Sequence, residues 1–299
     1  MRQDGVMTHT EIVVGVNRSA AALGSVEWAA RRAARTGARL RVVHVIDEAI
    51  RATDNAELLL AAQSHGQRIL DEALDVVRRV APDVAVEASL EQGDTVHVFG
   101  DLAESAALLV IGSDAEGSDG RRTTEHESPK RSRGVRGIRL AAASAVPVAV
   151  IPSVDVSDRN RIVVGVDESE LGGRALAFAV EEARALGATL VAVHALPVPP
   201  VSDFGLGNQS PALIVDPIDY EHIGRAALER ALDGIDLDGL SVDHVVVVDE
   251  PAFAIADAAR DASLVVVGSH GRTGIARLLL GSVSHGVLAH LEAPTVVVR

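Results

Sequence analysis

Gly268, Gly271, Gly281 and Ser282 form the pattern Gly-x2-Gly-x9-Gly-Ser inside the stretch VVVGSHGRTGIARLLLGSVSHG, Val265 to Gly286. Gly268 ends an apolar run that reads as a buried strand, so it falls at a strand's carboxyl end. In open parallel sheets, ligands bind outside the carboxyl ends of strands, where the strand order reverses. Glycines there are expected to let main-chain N–H groups approach an anion closely and to adopt positive φ, forming a nest. Gly281 and Ser282 are expected to place free N–H groups and a hydroxyl at a helix start, where the dipole favours phosphate. Two phosphate-holding devices then converge on one mouth. The pattern lacks the Gly-Lys-Ser/Thr of a Walker loop, and the turn after the first strand of this unit, GVDESELGG, is not the dinucleotide fingerprint.

The elements that must position this loop recur twice. EIVVGVNRSAAALGSVEWAARRAARTGARLRVVHVID from Glu11 matches RIVVGVDESELGGRALAFAVEEARALGATLVAVHALP from Arg161 at a constant offset of 150 residues, pairing Gly15 with Gly165, Ser19 with Ser169 and His44 with His194. A period this long means two domains rather than a solenoid, whose repeats run roughly 20–50 residues. In the second half, short apolar runs at Ile162–Val166, Leu190–His194, Val242–Val248, Leu264–Val267 and Thr295–Val298 alternate with helical stretches. Those stretches are Ser169–Leu186, Pro217–Leu232, Pro251–Asp261 and Ser282–Leu291, with Ser169 as N-cap and Gly187 as the stop of the first. In the first half the strands fall near Ile12–Val16, Leu40–Ile46, Val84–Ala88, Leu108–Ile111 and Val148–Ile151. Strand–helix alternation predicts an α/β fold: two tandem Rossmann-like domains, each with a five-stranded parallel sheet and flanking helices. The expected boundaries are residues 1–152 and 161–299, joined by the polar linker 153–160.

Composition narrows the function. Aromatic residues are 2% of the chain, so the core must come from Val, Leu, Ile and Ala, which suits buried parallel strands. The net charge of −14 repels phosphate backbones and argues against nucleic-acid binding, while leaving room for a small anion in a local pocket. With no cysteine there is no disulfide, thiolate metal site or thiol catalysis. No run of about 18 apolar residues occurs and the start carries no secretory pattern, so the expected location is the cytoplasm, away from the membrane. The histidines lack ligand spacing, and no nucleophile elbow, paired catalytic carboxylates or Ser/His/Asp grouping is present. Carboxylate pairs such as Asp71/Glu72 and Glu181/Glu182 read as solvated helix faces.

The Gly-x2-Gly-x9-Gly-Ser pattern resembles the ATP-binding signature of the universal stress protein family. IVVGVDES, VAVHA and LLLGSVSHGVLAHLEAPTVVVR agree with it, so the resemblance spans nearly the whole chain as a tandem pair. It implies a cytoplasmic, often dimeric ATP-binding protein tied to stress responses. It makes Gly165 a cofactor-binding residue and places Asp167 near the adenosine, also able to face a phosphate-bound metal, with the backbone around Ala195 at adenine. Ribose and phosphates fall to Gly268, Gly271, Gly281 and Ser282. Val283 and Ser284 extend the N–H cradle, and His270 and Arg272 stand at its rim. ATP is the implied ligand, Mg²⁺ can arrive with it, and no protein metal cluster is implied. A regulatory protein switched by nucleotide is the leading reading; a slow ATPase and a dimerising interaction module with structural nucleotide are the alternatives. The resemblance also implies pairing through the last strand, PTVVVR or PVAVIP, which in a tandem chain can be internal.

The first half departs from the pattern. Gly112 to Gly134 spans 22 positions against 13 for Gly268 to Gly281. Ala115 stands for Gly271, Val135 for Ser282 and Asn17 for Asp167. One well-formed site per chain is expected, in the second half.

Overall fold

A computed structural model describes residues 11–113, 135–196, 217–271 and 279–299. The first half runs β1 (Glu11–Gly15), α1 (Ala20–Thr36), β2 (Arg39–Asp47), α2 (Glu48–Arg51), α3 (Ala56–Val80), β3 (Val86–Gly93), α4 (Thr95–Ala103), β4 (Leu108–Ser113), α5 (Val135–Ala143) and β5 (Val148–Pro152). The second runs β6 (Arg161–Gly165), α6 (Glu170–Leu186), β7 (Thr189–Leu196), α7 (Pro217–Leu232), β8 (Val242–Val248), α8 (Pro251–Ala259), β9 (Leu264–Gly268), α9 (Ser282–Ala289) and β10 (Thr295–Val298). Among the described residues all strands join one sheet in the order β3-β2-β1-β4-β5-β10-β9-β6-β7-β8. Each half is a five-stranded parallel unit, and the two meet at the only antiparallel pair of that sheet, β5 with β10.

The strands are Val-rich because both faces are covered. Ile12 and Val14 point into a layer formed by α1, α3, α6 and α7. Val13 points into the opposite layer, with residues of α4, α5, α8 and α9. The period of two in strand side chains thus sorts one apolar run into two cores. Ala29, Ala30 and Ala33 on α1, and Ala175, Ala179 and Ala183 on α6, bring those helices close to the sheet without bulk.

Several bounds differ from the sequence reading: β7 runs to Leu196 rather than His194, and β2 covers Arg39–Asp47 rather than Leu40–Ile46. β3 begins at Val86 rather than Val84, since Val84 closes a turn by donating to Ala81 O at 3.1 Å. It then runs on to Gly93 through Glu87 and Glu91, because an outer strand is not buried on both faces and carries no continuous apolar signal. The helices begun at Pro251 and Ser282 stop at Ala259 and Ala289, two residues early, where the last N–H groups fold into tighter turns.

Candidate functional site

In the second half the strand order reverses between β6 and β9, and a cavity of about 360 Å³ opens there at their carboxyl ends. Gly165, Asp167, Ala195, Gly268, His270, Gly271, Gly281, Ser282, Val283 and Ser284 all line it. Arg272 lies outside the described residues. The structure therefore brings together every other residue singled out from the sequence. It adds several that local pattern did not reveal, among them Gly172 on α6 and Ile255 on α8.

Asp167 is held in place by the start of α6. Its Oδ1 accepts the Ser169 N–H at 3.1 Å and the Ser169 hydroxyl, while Ser169 Oγ accepts the Gly172 N–H at 2.9 Å. Ser169 is thus the N-cap expected of it, and Gly187 closes the same helix at φ 62°. The carboxylate needs two neighbours without side chains. A Cβ at Gly172 would collide with Asp167 Oδ1, and one at Gly271 would lie 2.9 Å from Oδ2. Gly172 carried no local signal, because its partner is five residues back and meets it only once α6 is folded.

The glycines work by close approach, which corrects the expected nest. None of Gly268, Gly271 and Gly281 has positive φ; Gly281 sits at φ −64° and ψ 160°. A Cβ at Gly281 would press to 3.3 Å on His270 Cα and Ser269 O. Its N–H is also spent, donating to Ser269 O at 2.8 Å. Gly281 is the N-cap and Ser282 the first helical residue, so the donors left open at the helix start are the N–H groups of Ser282, Val283 and Ser284. Gly281 has no side chain to cap them. The Ser284 hydroxyl is buried and bonds Ser269 O and Gly281 O at 3.0 Å each, which clamps the loop to the helix start.

Across the cavity, β7 offers backbone. Along β7, Leu190 N–H and Leu196 C=O turn toward β8, whereas Thr189 N–H and Val193 C=O turn toward β6. By that alternation the N–H and C=O of Ala195 face the β6 side, past the last β6–β7 pair, Gly165 with Val193. His194 Nδ1 lies 2.9 Å from Val166 O; a carbonyl only accepts, so Nδ1 carries the proton and donates. His44 makes the same bond to Val16 O at 2.8 Å, so this histidine braces a strand end in both halves. His270 Nδ1 is 3.2 Å from Ser269 Oγ, and its Nε2 meets no partner among the described residues.

The chain is thus a doubly wound α/β protein with a glycine-walled cleft at a strand-order reversal. The sequence profile of the universal stress protein family matches residues 9–152 and again residues 158–299. The chain belongs to that family, in its tandem form. Universal stress protein Rv1996 of Mycobacterium tuberculosis is 32% identical, the match covering 98% of this chain and 96% of that one. Universal stress protein Rv2623 of the same species is 30% identical, with 96% of each chain covered. A solved universal stress protein from Archaeoglobus fulgidus has a TM-score of 0.68, covering 97% of this chain and 96% of its own; at 17% identity it speaks to the fold alone.

Proposed function

We propose that the second half binds an adenine nucleotide, ATP in the first instance, and that the chain acts as a nucleotide-dependent regulatory protein in a stress response. The observation that carries this reading is the facing, across one cleft, of a helix start whose N-cap is glycine and of strand backbone at Ala195 that lies past the last β6–β7 pair. An adenine edge needs a donor and an acceptor side by side, which the Ala195 N–H and C=O supply. A phosphate needs several N–H donors at the positive end of a helix, which Ser282, Val283 and Ser284 supply together with the Ser282 hydroxyl. Gly165, Gly268, Gly271 and Gly281 contribute only backbone to the cleft lining, and Asp167 can face the ribose or a Mg²⁺ carried by the phosphates. His270 stands at the rim.

The proposal divides the chain into residues 1–152, with a degenerate loop, and 161–299, with the intact site, joined by 153–160. Among the described residues no helix is long and apolar enough to cross a membrane. A cytoplasmic place and the absence of nucleic-acid partners follow the charge of −14 and belong to the proposal. Because β5 and β10 already pair with each other, a homodimer of whole chains would assemble through other surfaces.

Purification followed by mass spectrometry of released nucleotide tests the binding, and ATP loss under excess protein tests the role. Retained ATP, hydrolysed no faster than about once per hour, is the expected result. Turnover on the order of 1 s⁻¹, in the range of ordinary enzymes, would replace the regulatory reading with an enzymatic one. No retained nucleotide and no measurable affinity would leave only the interaction module.

A further inference from the structure

The two halves are related by a dyad that can be located residue by residue. In the β5–β10 ladder, Val148, Ala149 and Val150 pair with Val297, Val296 and Thr295. Aligning Pro147 with Pro294 makes Ala149 and Val296 equivalent, so the ladder is centred on a residue facing its own counterpart. The same happens between α1 and α6. Arg32 bonds Glu182 through Nη1 and Oε1, and these positions are 150 apart, the offset of the repeat. Arg35 Nη2 reaches Glu182 Oε2 at 2.6 Å. Trp28 and Phe178, also equivalent at that offset, flank the Arg32 guanidinium at 6.0 and 4.8 Å. This is an isologous interface within one chain.

On such an axis, a pairing of like halves would set each residue against a copy of itself. Two first halves would bring together Arg32 and Arg35 from both sides, four guanidinium groups with no Glu182 between them. Two second halves would set Glu182 against Glu182, with Glu181 beside each, at a site where Glu182 is only 3% exposed. The first half carries Arg31-Arg32 where the second carries Glu181-Glu182, an inversion of charge at matched positions. Buried charge without a partner is strongly destabilising, far more than a well-formed pair is stabilising. Burial also draws the Arg32 pKa down to about 10, with Arg35 adding to the fall, and leaves the group charged at neutral pH.

We propose that this charge inversion is a pairing code. The α1/β5 face accepts a half that presents a carboxylate at the Glu182 position, and either half is barred from pairing with a copy of itself. The chain's own second half is the occupant it selects. The dyad interface of ordinary like-with-like assembly is thereby closed to other chains, and higher assembly must use other faces.

The code is read in the full-length chain through three variants, followed by thermal unfolding and by the emission of Trp28, the only tryptophan. Glu182→Gln removes the carboxylate, Glu182→Arg adds a third guanidinium, and Arg32→Glu with Arg35→Glu and Glu182→Arg reverses the code. The dyad exchanges positions 32 and 182, so reversal keeps the central geometry. Glu182→Arg is expected to unfold about 10 °C below wild type and clearly below Glu182→Gln, with red-shifted emission. The reversed triple variant is expected to regain at least half of that loss and the wild-type emission. Equal losses in Glu182→Gln and Glu182→Arg, or a triple variant no better than Glu182→Arg, would overturn the code. If Glu182→Arg does not fold, the triple variant, which keeps that arginine, must fold; its failure also overturns it. None of these residues lines the nucleotide cleft, so the outcome is independent of the binding proposal.

Discussion

Placed side by side, the halves agree at the strand ends and disagree around one carboxylate. His44 and His194 make the same bond to Val16 and Val166. Gly112 and Gly268 both sit under the carbonyl of an equivalent residue, Ala21 or Leu171, where a Cβ would lie 2.8 or 3.2 Å away. That glycine is therefore needed for packing in either half, and its presence alone is no mark of a ligand. The difference lies elsewhere. Asp167 is answered by Asn17, and Gly172, which leaves it room, by Ala22. Ser169 caps its helix by accepting the Gly172 N–H while its hydroxyl donates to Asp167, whereas Ser19 makes no side-chain cap. The fifth residue of α8, Ile255, packs beneath Gly165 as a wall of the cleft; the fifth residue of α4 is Phe99, whose ring fills the place beneath Gly15. Packing glycines and braced strand ends belong to the scaffold and are kept twice. The carboxylate and the glycines that admit it line the cleft and occur once.

Three changes would break or sharpen this contrast. The largest effect is expected from Gly281→Val, which drives a branched side chain into His270 and Ser269 and pulls the loop off the start of α9. Misplacing even two N–H donors to a charged ligand costs about 3 kcal/mol or more, so titration calorimetry should show at least about a 100-fold loss of ATP affinity. Circular dichroism should still show a folded chain; wild-type affinity in that variant would mean that the phosphates lie elsewhere. Next comes Gly172→Ala, which copies Ala22 into the second half and displaces Asp167. About a tenfold loss in the presence of Mg²⁺ is expected, the weight of one charge-assisted contact. An unchanged affinity would remove Asp167 from the site. The smallest effect is a matched pair of cap deletions. Ser169→Ala should cost about 1 kcal/mol in denaturant unfolding, and Ser19→Ala close to nothing, because only the first loses a made bond. Equal costs would show that the caps of α1 and α6 do not differ.

Much of this was readable in advance, for a physical reason. Whether a segment is strand or helix, and which residues it buries, is written in local periodicity, so both five-strand units and the Gly268–Ser282 loop could be placed from the chain alone. The edge strand β3 was misread in its bounds because its outer face meets water and its pattern is polar. The spacing of the glycines is legible in the sequence and they meet at one cleft, but not for the backbone reason expected. Positive φ is a property of the backbone path, and the path here demands small size instead. Local pattern makes Glu182 a solvated residue beside Glu181; its burial against Arg32 and Arg35 depends on residues some 150 positions away.

The sequence by itself determined that the chain holds two copies of one α/β unit and that only the second carries the Gly-x2-Gly-x9-Gly-Ser spacing. Repetition and short spacings need no third dimension. The tertiary structure alone decided that β5 and β10 fuse the units into one sheet, that Gly172 makes room for Asp167, and that Arg32 meets its own counterpart position as a carboxylate. Each of these is a contact across a fold, set by the dyad and the packing of helices on the sheet. Such contacts leave no mark in any local run of residues.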